Sequence, residues 1–163
     1  MHKLSLLVSV NSGLSPYIAT TPSGKPVAVL ERNTWPKQPL RLEVDGRAHR
    51  ILHEVASHHF LLNNFRYALV DDLGVTLASC IAAPATRTTE VRIGDADYRL
   101  VRRKRWWSMH FVLQDAHGRP LGQIIETTGI SLWRRKFRVD APADIGVPAA
   151  MFLFFLAATF TFR

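Results

Sequence analysis

The sequence predicts a mainly-β protein: a closed barrel of about twelve strands wrapped around one central, hydrophobic C-terminal helix. Three observations carry this. The body of the 163-residue chain is a succession of short runs rich in branched residues, separated by turn signals at the spacing of an all-β sandwich or barrel. The last nineteen residues, IGVPAAMFLFFLAATFTFR (145–163), contain almost nothing that can face water. Each feature also meets the other's need. A barrel of a dozen strands is too wide to be filled by its own side chains, and a helix apolar on every side must be wrapped by protein or lipid.

The N-terminal MHKLSLLVSVNSG places Leu4, Leu6, Val8 and Val10 in alternation with Ser5, Leu7 and Ser9. That is the period of a half-buried strand, and the serines break the run an export signal needs. KPVAVLER (25–32), LRLEV (40–44) and RAHRILHEV (47–55) follow, the last two joined by Asp45-Gly46, a tight hairpin signal. The stretch 53–64, HEVASHHFLLNN, reads equally as a strand extension or a helical turn. FRYALVD (65–71) and VTLASCI (75–81) flank Asp72-Leu73-Gly74, and EVRI (90–93) and YRLVRR (98–103) flank Gly94-Asp95. MHFVLQD (109–115) and PLGQIIE (120–126) flank His117-Gly118, and LWRRKFRVD (132–140) is the last predicted strand. Within this series, 67–80 aligns without gaps on 111–124: Leu69, Asp71, Gly74 and Leu77 match Leu113, Asp115, Gly118 and Leu121. The shared Asp-x-x-Gly turn predicts one hairpin used twice, the Asp bonding backbone amides and the Gly taking positive φ.

Pro148 suits the first turn of the helix, predicted over 148–163 as the core of a single domain spanning 1–163. Those sixteen residues rise about 24 Å, short of a hydrocarbon core of roughly 30 Å. Asp140 and Asp144 precede them where a membrane anchor would carry Lys or Arg. The expectation is therefore a wrapped helix and no transmembrane span; a tail anchor is the architectural alternative.

Lys plus Arg is 21 against 13 for Asp plus Glu, a net charge of +8 that favours anionic partners without choosing among them. The single cysteine, Cys80, excludes an internal disulfide and a cysteine-based zinc site. In its apolar strand it reads as a small buried hydrophobe. HEVASHH lacks the histidine four positions after His53 that a zincin motif requires, so the histidines are expected to be solvent-exposed. No phosphate-binding loop, dinucleotide fingerprint or nucleophile elbow is present, which argues against an enzyme.

The most suggestive run is Arg102, Arg103, Lys104, Arg105, Trp106, Trp107, echoed by Trp133, Arg134, Arg135, Lys136. Clustered cations make a positive field, and indoles stack on bases or sit among lipid head groups. If the two strands are neighbours, Arg102, Arg103, Lys104, Arg105, Arg134 and Lys136 form one anion-binding surface anchored by Trp106 or Trp107. The competing reading is a solvated outer face, with Trp133, Phe137 and Val139 packing inward. Alternation puts Arg135 on that inner face, so it is expected near a barrel end, paired with a carboxylate such as Asp140 or Asp144.

With these pieces in place (YALVDDLGVTLASC, YRLVRR, FVLQDAHGRPLGQI, LWRRKFRVDAP and the helix AAMFLFFLAATF) the chain resembles the tubby C-terminal domain over about residues 40 to 163. It is most similar to the LURP-one-related and phospholipid scramblase-like members, with the N-terminal strands completing the barrel. The resemblance implies a non-enzymatic binding module without cofactor, in the cytoplasm and peripheral to a membrane. Its implied ligand is the anionic phospholipid head group, held by surface Lys and Arg. Asp140 and Asp144 alone cannot supply the six to eight oxygens calcium takes, so no calcium site is expected. A nucleic-acid-binding or protein-interaction module stays open as the alternative.

Overall fold

The computed structural model describes residues 2–11, 15–32, 39–57, 64–82, 86–103, 108–128 and 134–161. Twelve antiparallel strands follow one another around a closed barrel, each paired with its sequence neighbours: β1 (Lys3–Val10), β2 (Tyr17–Thr20), β3 (Pro26–Leu30), β4 (Leu40–Val44), β5 (Arg47–Ser57), β6 (Asn64–Val70), β7 (Thr76–Ala82), β8 (Thr88–Ile93), β9 (Ala96–Arg102), β10 (His110–Asp115), β11 (Pro120–Glu126) and β12 (Arg135–Pro142). β1 closes the barrel by pairing with β12 along its whole length, from Lys3 opposite Pro142 to Val10 opposite Arg135. Closure leaves no strand edge exposed.

Alternation decides which side chains enter. On β12, Phe137, Val139 and Ala141 are buried while Lys136 is exposed; on β1, Leu6, Val8 and Val10 are buried. A short 3-10 turn (Ala143–Ile145) then turns the chain into the barrel, and α1 (Gly146–Thr161) runs up its axis. Residues Ala149 to Phe154 and Leu156 to Ala158 are buried on all sides, against β12 and β3 most closely, and against β4, β6 and β7. Inward alanines on both partners (Ala19, Ala28, Ala78 on the wall, Ala150 and Ala157 on the helix) let the wall approach. Phe154 fills the wider part, edge-on to Tyr17 at 5.0 Å and to Phe137 at 5.1 Å. Burying each such ring is worth about 1.5–3 kcal/mol. The helix starts two residues before the predicted Pro148, which sits inside its first turn; Phe162 and Arg163 lie outside the described residues.

The Asp-x-x-Gly hairpin recurs as expected. Asp71 Oδ1 accepts the amides of Leu73 and Val75 (3.0 and 2.8 Å), and Asp115 Oδ1 those of His117 and Arg119 (both 2.9 Å). Gly74 and Gly118 share φ 82°, and the strand register slips at the same place before each turn. A third copy went unpredicted, together with its strand β2. The β2–β3 turn has the same backbone bonds, Thr21 N to Lys25 O and Gly24 N to Thr21 O, the same slip, and Thr21 Oγ1 accepting Lys25 N at 3.2 Å. Only Tyr17, Gly24 and Ala28 match Tyr67, Gly74 and Ala78 in sequence, and a threonine hydroxyl does the aspartate's work. The barrel is thus three four-strand units: β2–β5, β6–β9, and a third made of β10–β12 with β1. The start of β1 and the end of β12 meet where the other units have the two-residue turns Asp45-Gly46 and Gly94-Asp95, and Ala143 N bonds His2 O there at 3.0 Å. The ambiguous stretch continues β5 to Ser57; 58–63 lies outside the described residues.

Candidate functional site

Strand alternation gives the barrel two unlike ends. The tight turns (21–25, 45–46, 71–75, 94–95, 116–119) and the start of α1 lie at one, the turn end. The opposite ends of the same strands lie at the other, the loop end, where α1 finishes; in sequence they are joined by 11–16, 31–39, 58–63, 83–87, 103–109 and 127–134.

Of the predicted basic residues, Arg102, Arg103, Arg134 and Lys136 are described, and they belong to the loop end. Arg102, last in β9, donates from Nη1 to the carbonyl of Phe160 at 3.3 Å, satisfying a helix C-terminal acceptor where the dipole favours a cation. Arg103 follows, exposed, its amide bonded to His110 O at 2.9 Å. Arg134 and Lys136 are exposed at the start of β12. Thr128 Oγ1 accepts the Lys136 amide at 3.1 Å, and the Thr127 amide donates to Lys136 O at 2.8 Å, pinning that strand start. Lys104, Arg105, Trp106, Trp107 and Trp133 lie outside the described residues. The condition placed on a joint surface is not met, since β9 and β12 are separated by β10 and β11. Three strand spacings put their outer faces roughly 14 Å apart along the wall. What they share is an end of the barrel.

Arg135 does sit near a barrel end on the inner side, but its partner is neither Asp140 nor Asp144. Its Nε and Nη2 each reach a different Glu126 oxygen at 2.7 Å, and its guanidinium lies 5.1 Å over the Phe137 ring. Register explains this: Glu126 stands opposite Phe137 on the neighbouring strand. Asp140 faces outward and is engaged by Arg138 (3.0 Å) and Ser5 (2.7 Å).

Sequence reading missed two loop-end cations, both exposed: Arg87, whose carbonyl accepts the Arg102 amide at 2.8 Å, and Arg32, stacked 5.0 Å over Tyr17. Neither belongs to a basic run; strand order alone brings them to this end. At the turn end, Asp45, Asp71, Asp72, Asp95, Asp115 and Asp144 outnumber Lys3, Lys25, Arg47 and Arg119. At the loop end, Arg32, Arg87, Arg102, Arg103, Arg134, Arg135 and Lys136 face Glu31 and Glu126. All four tryptophans of the chain (Trp35, Trp106, Trp107, Trp133) fall in the sequence of loop-end connections.

Two cavities lie elsewhere among the described residues. A groove of about 490 Å³ on the outer wall is lined by Arg66, Arg92 and Arg99 with Ser79 and Ile81. Its cations stand opposite carboxylates, Arg66 to Glu54 at 2.9 Å, Arg99 to Glu90 at 3.9 Å and Arg92 to Asp97 at 4.0 Å, so its field is largely balanced. A second cavity of about 530 Å³ lies at the turn end between the β8–β9 turn and the start of α1, with Asp95, Tyr98 and Asp144 on its rim. Burial, and then the Asp144 charge, push the Tyr98 phenol up.

The histidine expectation needs correcting. His2 and His117 are exposed as expected, but His49 is buried, its Nδ1 3.2 Å from Arg47 O, and His53 is half-buried, stacked on Tyr67 and tilted against Phe65, both at 5.0 Å; His58 and His59 lie outside the described residues. His49 and His53 face inward because β5 alternates about Ile51. Among the described residues no group of three or more His, Cys, Asp or Glu is placed to hold a metal. Cys80 is buried on the inner wall, where desolvation pushes its thiol up to about 12, so it is no nucleophile. Compared with protein-family models, curated proteins and solved structures, the chain matches none.

Proposed function

We propose that this protein is a non-enzymatic module of the LURP-one and scramblase-like type, within the tubby C-terminal-like superfamily. It binds anionic phospholipid head groups at a membrane surface, from the cytoplasmic side, through the loop end of the barrel. The supporting observation is the gathering of cations beyond the available carboxylates at one end, in the same connections that hold every tryptophan of the sequence. Exposed cations near an anionic bilayer are worth about 1 kcal/mol each, and indoles favour the head-group region. Arg102, Arg103, Lys104, Arg105, Arg134 and Lys136 supply charge, and Trp106 and Trp107 anchor the interface.

This reading is preferred to nucleic-acid binding because the cations crowd one end and do not line a groove along which a strand could track. Vesicle flotation with and without phosphatidylserine at low salt is the test. Recovery with the acidic vesicles alone, lost progressively as salt rises, is the expected result. Equal recovery from both vesicle types would remove the lipid reading. A gel shift on DNA or RNA with a steep salt dependence would put the nucleic-acid alternative in its place.

A further inference from the structure

We propose that the protein docks end-on, its barrel axis steep to an anionic bilayer, and that Arg32 and Arg87 belong to the docking surface. This rests on the lipid reading above and adds an orientation and two residues to it. Arg32, Arg87, Arg102, Arg103, Arg134 and Lys136 come from four separate connections, and the up-and-down order brings them all to one rim of the barrel. The opposite rim is acidic, with Asp72, Asp95 and Asp144 among its residues. A protein polarised along its axis turns in the field of a negative surface until the basic rim leads and the acidic rim points away.

A structural cause could also place cations at this rim, because the C-terminus of the axial helix is there. That cause is too small. A helix end carries about half an elementary charge, and the Arg102 guanidinium on the Phe160 carbonyl already answers it. The other described cations of the rim exceed what half a charge calls for. The outer wall is a weaker candidate, because its arginines Arg41, Arg66, Arg92, Arg99 and Arg138 stand beside carboxylates and only Arg50, exposed in mid-β5, lacks one among the described residues.

The orientation is read with single cysteines in a Cys80→Ala background, each labelled with an environment-sensitive fluorophore. Thr88 marks the basic rim, Leu52 the middle of the wall and Leu73 the tip of an acidic-rim turn; all three are exposed, Leu73 by 84%. The probe is a phosphatidylcholine vesicle containing phosphatidylserine and a head-group quencher. Quenching at Thr88, with Leu52 and Leu73 unchanged, is the expected result. Arg32→Gln and Arg87→Gln each weaken partition roughly fivefold, whereas Asp72→Asn does not. Vesicle binding with quenching at Leu52 or Leu73, or with Arg32→Gln and Arg87→Gln both silent, overturns end-on docking and leaves the lipid reading standing. Failure of the unmodified protein to bind acidic vesicles removes both.

Discussion

At one end of the barrel the chain reverses within two to five residues, and three of the five turns repeat one hydrogen-bonding scheme; at the other the connections run to between five and nine residues. The short turns carry most of the aspartates. The long connections carry all the tryptophans and the excess of arginine. The same strands leave both ends, so the difference lies in what the connections are for. An Asp that accepts two backbone amides is used up by its own turn, and a turn built this way fixes strand register. Among the described residues the cations of the loop-end rim outnumber its carboxylates and most are exposed, so the rim keeps a net positive charge toward solvent. Register and stability are set at the turn end and along the axis; the proposed recognition falls to the loop end.

That division would fail most visibly in the core. Phe154→Ala removes a ring held between Tyr17 and Phe137 and should cost about 3–5 kcal/mol, measured by denaturant unfolding. A loss below about 1 kcal/mol would mean that wall and helix do not support one another. Next comes Glu126→Ala. It strands the Arg135 guanidinium, half-buried against Phe137, and should cost roughly 2 kcal/mol, below the fully buried case because Arg135 keeps some exposure. Among the described loop-end residues, this pair is expected to matter most for stability. A result near zero would make the contrast between the ends sharper than stated. Smaller again, Asp71→Ala should cost about 1–2 kcal/mol for two lost amide acceptors. Arg103→Ala and Lys136→Ala should stay within about 0.5 kcal/mol. Equal losses at the two ends would contradict the division.

Much of this architecture was written in the sequence, and the residues show why some of it was not. Alternation in Leu4 to Val10 and in Phe137 to Val139 marked strands and their inner faces because a barrel wall has one dry side. The helix was legible because an all-round apolar run has few places to go. β2 was missed because four residues are too few to display a period, and because Thr21 stands where its sister turns have Asp. The partner of Arg135 was missed because Asp140 and Asp144 are near it along the chain, whereas Glu126 is near it across a strand pair, a register no local pattern reveals. The basic runs were visible but not their meeting place. Arg32 and Arg87 are isolated in sequence and join Arg102 and Lys136 only through the order of strands round the barrel.

The smallest effect tests the turn end through its protons. The Arg119 amide, and behind it the Arg119 side chain and the His117 amide, hold the Asp115 carboxyl below its ordinary value of 3.8. A carboxyl depressed in the fold stabilises it fully above the ordinary value, and that contribution fades as pH falls through 3.8 toward the folded value. Asp115→Asn keeps an acceptor oxygen for the amides but has no proton to gain. The stability gap between the parent and this variant should therefore be steady from neutral pH down to about pH 5 and then close as the acid limb is entered. Thermal unfolding of both proteins across that range reads it directly. A gap that stayed constant into the acid limb would show that Asp115 serves its turn by shape alone, and that charge plays no part in the register fixed there.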